Sequence, residues 1–252
     1  MQSFLQALSL LTRLPVRAEW PADAKRGRAL AWAPGVGLLI GLFLAVPVLV
    51  VDRWLGFTSP LLPAAMLLAW WAMLTGALHL DGWANGCDAF FTRATPGKRL
   101  QAMDDPRLGV FGVTCLILLL AVKGAALHGV ILQSWVDGSR ALLVLILAPV
   151  AARLGLVLVV ATQPLAKPDG LGRSLKNGLG AREIIIATLL TGIVAALIGR
   201  SSLVPLAGAL AGALCWAGLA RHGIGGVTDD VFGGAVELGE TAALVAACSF
   251  PG

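Results

Sequence analysis

Asp81, Asn85 and Asp88 recur at i, i+4 and i+7 in the segment His79-Leu80-Asp81-Gly82-Trp83-Ala84-Asn85-Gly86-Cys87-Asp88. If the apolar run before them continues as a helix, the three share one face. Two carboxylates and an amide oxygen on one face suit Mg²⁺, which takes oxygen ligands and keeps waters for substrate phosphates to displace. Near the C-terminus the logic repeats. Thr228-Asp229-Asp230 leads into Gly233, Gly234, Glu237 and Glu240, with Asp230 and Glu237 again seven apart. Together the two sets predict a divalent-metal site for phosphoryl transfer. Asp104, Asp105, Arg107 and Gly109 form a third polar cluster, and Lys123 and Arg153 lie inside apolar runs. Cations near buried carboxylates lower each other's desolvation cost, and cations near a metal clamp a diphosphate. The segment Lys167-Pro168-Asp169-Gly170-Leu171-Gly172-Arg173-Ser174 adds glycines that let a ligand approach the backbone and basic residues that suit phosphate.

Each of these residues also has a structural reading. For Asp81 and Asp88 the lesser alternative is a solvated loop acid or a helix cap. Glu237 fits an ion-pair partner for Lys123 or Arg153, and those cations then serve only that pair. His79 fits an interfacial hydrogen-bonding role, and Thr228 a helix N-cap. Asp104, Asp105, Asp229 and Glu240 are local groups when taken singly. The Gly/Lys/Arg segment is not a Walker A loop, because no G-K-[ST] follows; a solvated linker reads as well.

The elements that must position these groups are apolar. Of 252 residues, 58% are hydrophobic and only 13% charged, against about 25% charged in an ordinary soluble domain. Mean hydropathy is +0.84. A spanning helix takes ~17–25 apolar residues; the candidate runs are Ala33–Val51, Leu61–Leu78, Leu108–Leu132, Ala141–Ala161, the rather short Ile184–Gly199, Leu203–Ala220 and Val231–Phe250. The expected fold is all-α: a polytopic transmembrane helical bundle of about seven spans, in one integral membrane domain covering residues 1–252. The N-terminal stretch has an apolar run followed by Arg13 and Arg17, the reverse of a signal peptide; it reads as a short amphipathic or re-entrant helix at the membrane surface.

The basic residues set the orientation. Arg13, Arg17, Lys25, Arg26, Arg28, Arg93, Lys98, Arg99, Arg107, Lys167, Arg173, Lys176, Arg182 and Arg221 fall in alternate connections; the opposite connections hold only Arg53, Arg140 and Arg200. The positive-inside rule then puts the N-terminus and the long acid-bearing connections in the cytoplasm. Trp20, Trp32, Trp54 and Trp135 fit interfacial anchors. The net charge of +5 is dispersed between apolar runs, which leaves no groove for nucleic acid. The four cysteines form no C-x-x-C pair, so neither a disulfide framework nor a zinc site is expected.

With these motifs in hand, the chain resembles the cobalamin synthases, the adenosylcobinamide-GDP ribazoletransferases of bacteria and archaea. The likeness runs through Thr12-Arg13-Leu14-Pro15, Pro34, Gly37 and Gly41, then His79-Leu80-Asp81-Gly82 with Asp88. Asp105-Pro106-Arg107-Leu108-Gly109 follows, with Gly112, Lys123 and Arg153, then Asp169-Gly170-Leu171-Gly172 and finally Thr228, Asp230, Gly233 and Glu237. Two positions depart from the family pattern: Asn85 stands where a further Asp is usual, and Asp229 where T-G-D has its glycine. Asn85 keeps an oxygen ligand but removes a charge, and Asp229 brings one back nearby.

The resemblance implies a Mg²⁺-dependent enzyme of the bacterial inner membrane, multi-pass, with its active site on the cytoplasmic side. It would join adenosylcobinamide-GDP to α-ribazole or α-ribazole 5′-phosphate and release GMP. On that reading Asp81, Asn85, Asp88, Asp230 and Glu237 hold metal, and His79, Lys123 and Arg153 are catalytic. Arg13, Arg107, Gly170, Gly172 and Thr228 contact substrate. The lipid bilayer is a partner, and a homo-oligomer or association with other enzymes of the pathway is compatible with the sequence. Two rivals remain open: a transporter using the ionisable residues within its spans, and a CDP-alcohol-type phosphotransferase, whose motif is interrupted because Asp81-Gly82 is followed by Trp83-Ala84-Asn85.

Overall fold

The computed structural model describes residues 2–20, 25–92, 94–167 and 169–249, without the side chains of residues 51–55, 137 and 139. Arg93, Pro168 and Phe250, and the side chains of Arg53 and Trp54, therefore lie outside what is described. Eleven α-helices are present among the described residues: α1 (Gln2–Leu11), α2 (Ala33–Leu55), α3 (Leu61–Thr75), α4 (Leu78–Phe91), α5 (Pro96–Met103), α6 (Val110–Asp137), α7 (Leu143–Thr162), α8 (Leu171–Lys176), α9 (Ala181–Ile198), α10 (Leu203–Ile224) and α11 (Asp229–Ser249). A 3-10 segment, Arg26–Trp32, leads into α2. The described part holds no strand, only a single parallel bridge between Leu165 and Val227.

Six helical stretches are long and apolar enough to cross a membrane, and a seventh exists if the bent pair α3 and α4 counts as one. The all-α, multi-pass bundle is thus what the apolar runs specify. α2 and α7 run antiparallel in close contact: a Cβ on Gly37 would lie 2.5 Å from the Pro149 carbonyl oxygen, and one on Gly41 2.5 Å from Ile146 Cα. α11 is the central helix. It packs on α10, α7, α4 and α6, and its residues Val231 to Glu237 are all buried. α1 lies on the 3-10 segment and the start of α2, buries Ala7, Leu8 and Leu11, and sets Phe4 edge-on to Trp32.

The second apolar run departs from the expected continuous helix. α3 ends at Thr75 after 15 residues, a length of only ~22 Å at 1.5 Å per residue, and α4 leaves at 92° to it. The bend is a Schellman closure: Gly76 N–H donates to Met73 O (3.1 Å) and Ala77 N–H to Ala72 O (2.9 Å). Gly76 and Ala77 both have left-handed backbone, at φ 60° and 55°. Ala77 is the only non-glycine residue in that region among those described. Arg13 covers the bend, since a Cβ on Gly76 would sit 2.0 Å from its Cγ. The result is a polar helix turned crosswise over the end of the bundle, and this helix carries His79, Asp81, Asn85 and Asp88.

Gly76→Ala should lower the thermal midpoint in detergent by the equivalent of about 1–2 kcal/mol from the left-handed backbone alone, and by more because of the overlap with Arg13. Ala77→Gly should leave the midpoint unchanged or raise it. The same loss in both variants would argue against the bend.

Candidate functional site

α4 reaches α11 through glycine. A Cβ on Gly82 would lie 2.6 Å from the Asp230 carbonyl oxygen, and one on Gly233 3.2 Å from His79 Cα. Larger residues at either position would force the helices apart. Trp216 of α10 wedges beside this crossing, stacked on Trp83 at 4.4 Å and tilted against Phe90 at 5.0 Å. The approach puts Asn85 Nδ2 3.2 Å from Asp230 Oδ1, to which it donates. Asp81 and Asp229 lie close enough to act on Asp230 electrostatically. Asp81 and Asp229 are exposed, while Asn85 and Asp230 are half-buried. Side chains from the two distant sequence segments therefore meet at one open junction.

Asp229 also faces the loop before α8. Its carboxylate accepts from the backbone N–H groups of Leu171 and Gly172. Gly170, at φ 102°, and Gly172, the second residue of α8, also lie against it; Cβ atoms there would sit 3.6 Å from Asp229 Oδ2 and 3.3 Å from Oδ1. Thr228 Oγ1 accepts the Val231 N–H at 3.4 Å, a long cap on the start of α11. Lys167 Nζ donates to Asp104 Oδ1 at 2.6 Å, and its charge reaches both Asp229 and Asp230. Lys167 thus joins this junction as a basic group, and its place in the Lys167–Ser174 segment is its signal in the sequence.

Two of the five expected metal ligands have other partners. Asp88 Oδ2 accepts from Gly109 N–H at 2.7 Å and Oδ1 from Gly112 N–H at 2.8 Å. These are the N-cap and third residue of α6, so Asp88 caps that helix from a neighbouring one, where negative charge is favoured. Glu237 lies deeper. Lys123 Nζ donates to Glu237 Oε2 at 2.8 Å and to Glu240 Oε2 at 2.6 Å. Arg153 Nη1 donates to Glu240 Oε1 and to Pro149 O. Lys123 also sits 4.1 Å from the Trp71 ring centre. All four charged groups are buried, and their charges cancel. This ion-pair network ties α6, α7 and α11 together in the apolar interior.

His79 belongs to this deeper layer. Two residues from Asp81, it projects roughly 200° around α4, is buried, and leaves Nδ1 without a partner among the described residues. Its charged neighbours are Arg153, Glu240 and Lys123. Arg107 is exposed and engaged with Asp105 through Nε to Oδ1 (3.0 Å) and Nη2 to Oδ2 (2.9 Å). The Arg107 side chain and backbone hold the Asp105 carboxyl down to about 2. The contribution of this pair is complete above the ordinary aspartate range and fades as pH falls through about 2; in water it is small. Arg13 lies with its stem on Gly76, at the bend.

Comparison with known proteins gives this geometry its context. The family described as cobalamin-5-phosphate synthase matches residues 3–248. The chain belongs to that family. The adenosylcobinamide-GDP ribazoletransferase of Ectopseudomonas mendocina (strain ymp) is 41% identical over 244 residues, 95% of this chain and 96% of the relative. That of Stutzerimonas stutzeri (strain A1501) is 38% identical over 251 residues, 97% of each. That of Brevibacillus brevis (strain 47) is 32% identical over 249 residues, again 97% of each. No solved structure matches. Two of the motifs quoted for the family become one feature here: Asp88 and the Gly109 and Gly112 that follow Asp105-Pro106-Arg107-Leu108 are the two halves of a single helix cap.

Removing one member of a buried ionic network costs ~3–5 kcal/mol, because its partner is left charged and unpaired. Lys123→Met should therefore lower the thermal midpoint in detergent sharply. Adding Glu237→Gln should recover part of the loss, because Arg153 and Glu240 still balance. A single variant as stable as the parent would contradict the network.

Proposed function

We propose that this chain is an adenosylcobinamide-GDP ribazoletransferase that works at the junction of α4 and α11. The reading is carried by one combination: full-length similarity to enzymes of that name, and a pair of carboxylates from two helices, Asp81 and Asp230, beside one cation, Lys167. The substrates are adenosylcobinamide-GDP and α-ribazole or its 5′-phosphate.

Mg²⁺ fits the donor set. Among the described residues no three His, Cys, Asp or Glu side chains form a metal-holding group. Mg²⁺ does not require one, because one or two carboxylates with waters and substrate phosphates suffice. Asp81 and Asp230 would hold it, with the Asn85 amide alongside. When bound, the ion supplies charge neutralisation for the diphosphate and the departing GMP. Lys167 adds a positive charge for a phosphate oxygen. Asp229 holds the start of α8 through the Leu171 and Gly172 N–H groups, and Gly170 leaves backbone open for the nucleotide. A ribose hydroxyl of the acceptor attacks the phosphorus attached to cobinamide, and the bond to the GMP oxygen breaks. The hydroxyl proton passes to a carboxylate at the junction and then to water. Positioning and charge stabilisation supply most of the acceleration.

Lys123, Arg153, Glu237 and His79 act in this scheme beneath the reacting groups, holding α11 and α4 at fixed depth. The excess of Lys and Arg in the connections on the junction's side supports a cytoplasmic location for it, in a protein of the bacterial inner membrane.

Purified protein in detergent, given adenosylcobinamide-GDP and α-ribazole, should release GMP only with Mg²⁺ and lose that activity with EDTA. Asp81→Asn and Asp230→Asn should each reduce the rate by ~10²-fold or more, with the helical content kept. Near-parental turnover in either variant would overturn the assignment. Asn85→Asp adds a third carboxylate and should lower the Mg²⁺ concentration needed for half-maximal rate; an unchanged or higher requirement would remove Asn85 from the site.

A further inference from the structure

A second polar cleft, of about 710 Å³, lies between the Arg26–Trp32 segment and the start of α9. Lys25, Arg28 and Arg182 line it. None of the three has an ion-pair partner among the described residues. The one carboxylate on its wall, Glu183, is turned to the Gly180 backbone N–H at 3.0 Å. Three like charges facing one cleft repel each other, so folding alone does not favour them. Their closeness is nevertheless built in. Gly27 N–H donates to Asn177 O at 3.0 Å, and a Cβ on Gly27 would lie 2.2 Å from Leu175 O. Gly178, at φ 91°, brings the backbone against Lys25 and Arg28, where a Cβ would sit 2.5 Å from Lys25 Cβ. Three cations against one carboxylate leave the cleft net positive, a receptor for an anion.

The surroundings identify the kind of anion. Trp32 and Ile186 complete the wall. Trp32 is part exposed, at the entrance to a membrane-crossing stretch that begins at Arg26. α9 is itself a candidate span with little of its surface buried. From the cleft it presents Ile185, Leu189, Ile193 and Leu197, all exposed and four residues apart, so they form one stripe along its length. A basic cleft and an apolar track thus begin at the same point. Basic pockets between membrane-crossing helices recognise acidic headgroups in this way.

We propose that this cleft binds the phosphate of an anionic phospholipid, with the acyl chains lying along the α9 stripe. Arg28 and Arg182 grip the phosphate oxygens with their planar guanidinium groups, and Lys25 adds a point charge. The proposal stands apart from the reaction at the α4–α11 junction, since it uses none of the residues placed there.

The test is lipid retention by the full chain in detergent, followed by native mass spectrometry with phosphatidylglycerol and phosphatidylcholine of the same chain length. Phosphatidylglycerol should be held in preference. Arg28→Gln with Arg182→Gln should weaken it by about tenfold or more, since a hydrogen bond to a charged group carries that factor. Arg140→Gln with Arg200→Gln removes equal charge elsewhere and should leave it unchanged. Lys25→Gln alone, a milder change, should give a smaller loss in the same direction. Inorganic phosphate in excess should not displace the lipid. Equal retention of both lipids, equal loss in the two double variants, an unaffected Lys25→Gln variant, or displacement by phosphate would each overturn the lipid assignment. GMP release, measured on the same samples, keeps this outcome separate from that of the proposed reaction.

Discussion

The close crossing of α4 over α11 is the contact on which the candidate site depends. Gly82 lies against the Asp230 backbone and Gly233 against that of His79, so no side chain separates the two helices where they meet. Everything polar at the junction follows from that approach. Asn85 reaches Asp230, Asp81 acts on it from the same helix as Asn85, and Asp229 turns to the Leu171 and Gly172 N–H groups at the start of α8. The crossing in turn requires the bend at Gly76 and Ala77, because a straight continuation of α3 would carry α4 out of the bundle rather than across its end.

Two layers of ionisable groups result, and they obey different physics. The deep layer contains Lys123, Arg153, Glu237 and Glu240, all buried among apolar helices. Such groups persist only when paired and hydrogen-bonded, and here two cations meet two anions. The outer layer is more open: Asp81 and Asp229 are exposed and Asp230 half-buried, and Asp229 and Asp230 both feel Lys167, which is also bound to Asp104. Negative charge at an open site is what a divalent ion would balance while it bridges to a diphosphate. Asp88 belongs to neither layer, since both its oxygens are used by the N-terminus of α6.

Much of this arrangement is written in the sequence. The apolar runs give the spans within a few residues, and the charges inside them mark the groups that must find partners. The pairing of Glu237 with Lys123 is one of the two readings that the sequence leaves open for Glu237. The bend was hidden, because Leu61–Leu78 is continuously apolar and Ala77 carries no sign of its left-handed backbone. The role of Asp88 was hidden for a related reason: its partners are backbone N–H groups 21 and 24 residues further on, and a backbone group leaves no trace in residue type. The separation of His79 from Asp81 was legible in principle, since a two-residue step on a helix puts side chains on opposite sides. Lys167 lies 62 and 63 residues before Asp229 and Asp230, and only the bridge between Leu165 and Val227 brings its loop to them.

The account stands on Asp81 and Asp230 serving one ion together. Mn²⁺ binding to the purified protein, followed by electron paramagnetic resonance with Mn²⁺ in place of Mg²⁺, reads this without any turnover. One site per chain in the parent, lost in Asp81→Asn and lost equally in Asp230→Asn, is the predicted result. Retention of that site in either variant would contradict it.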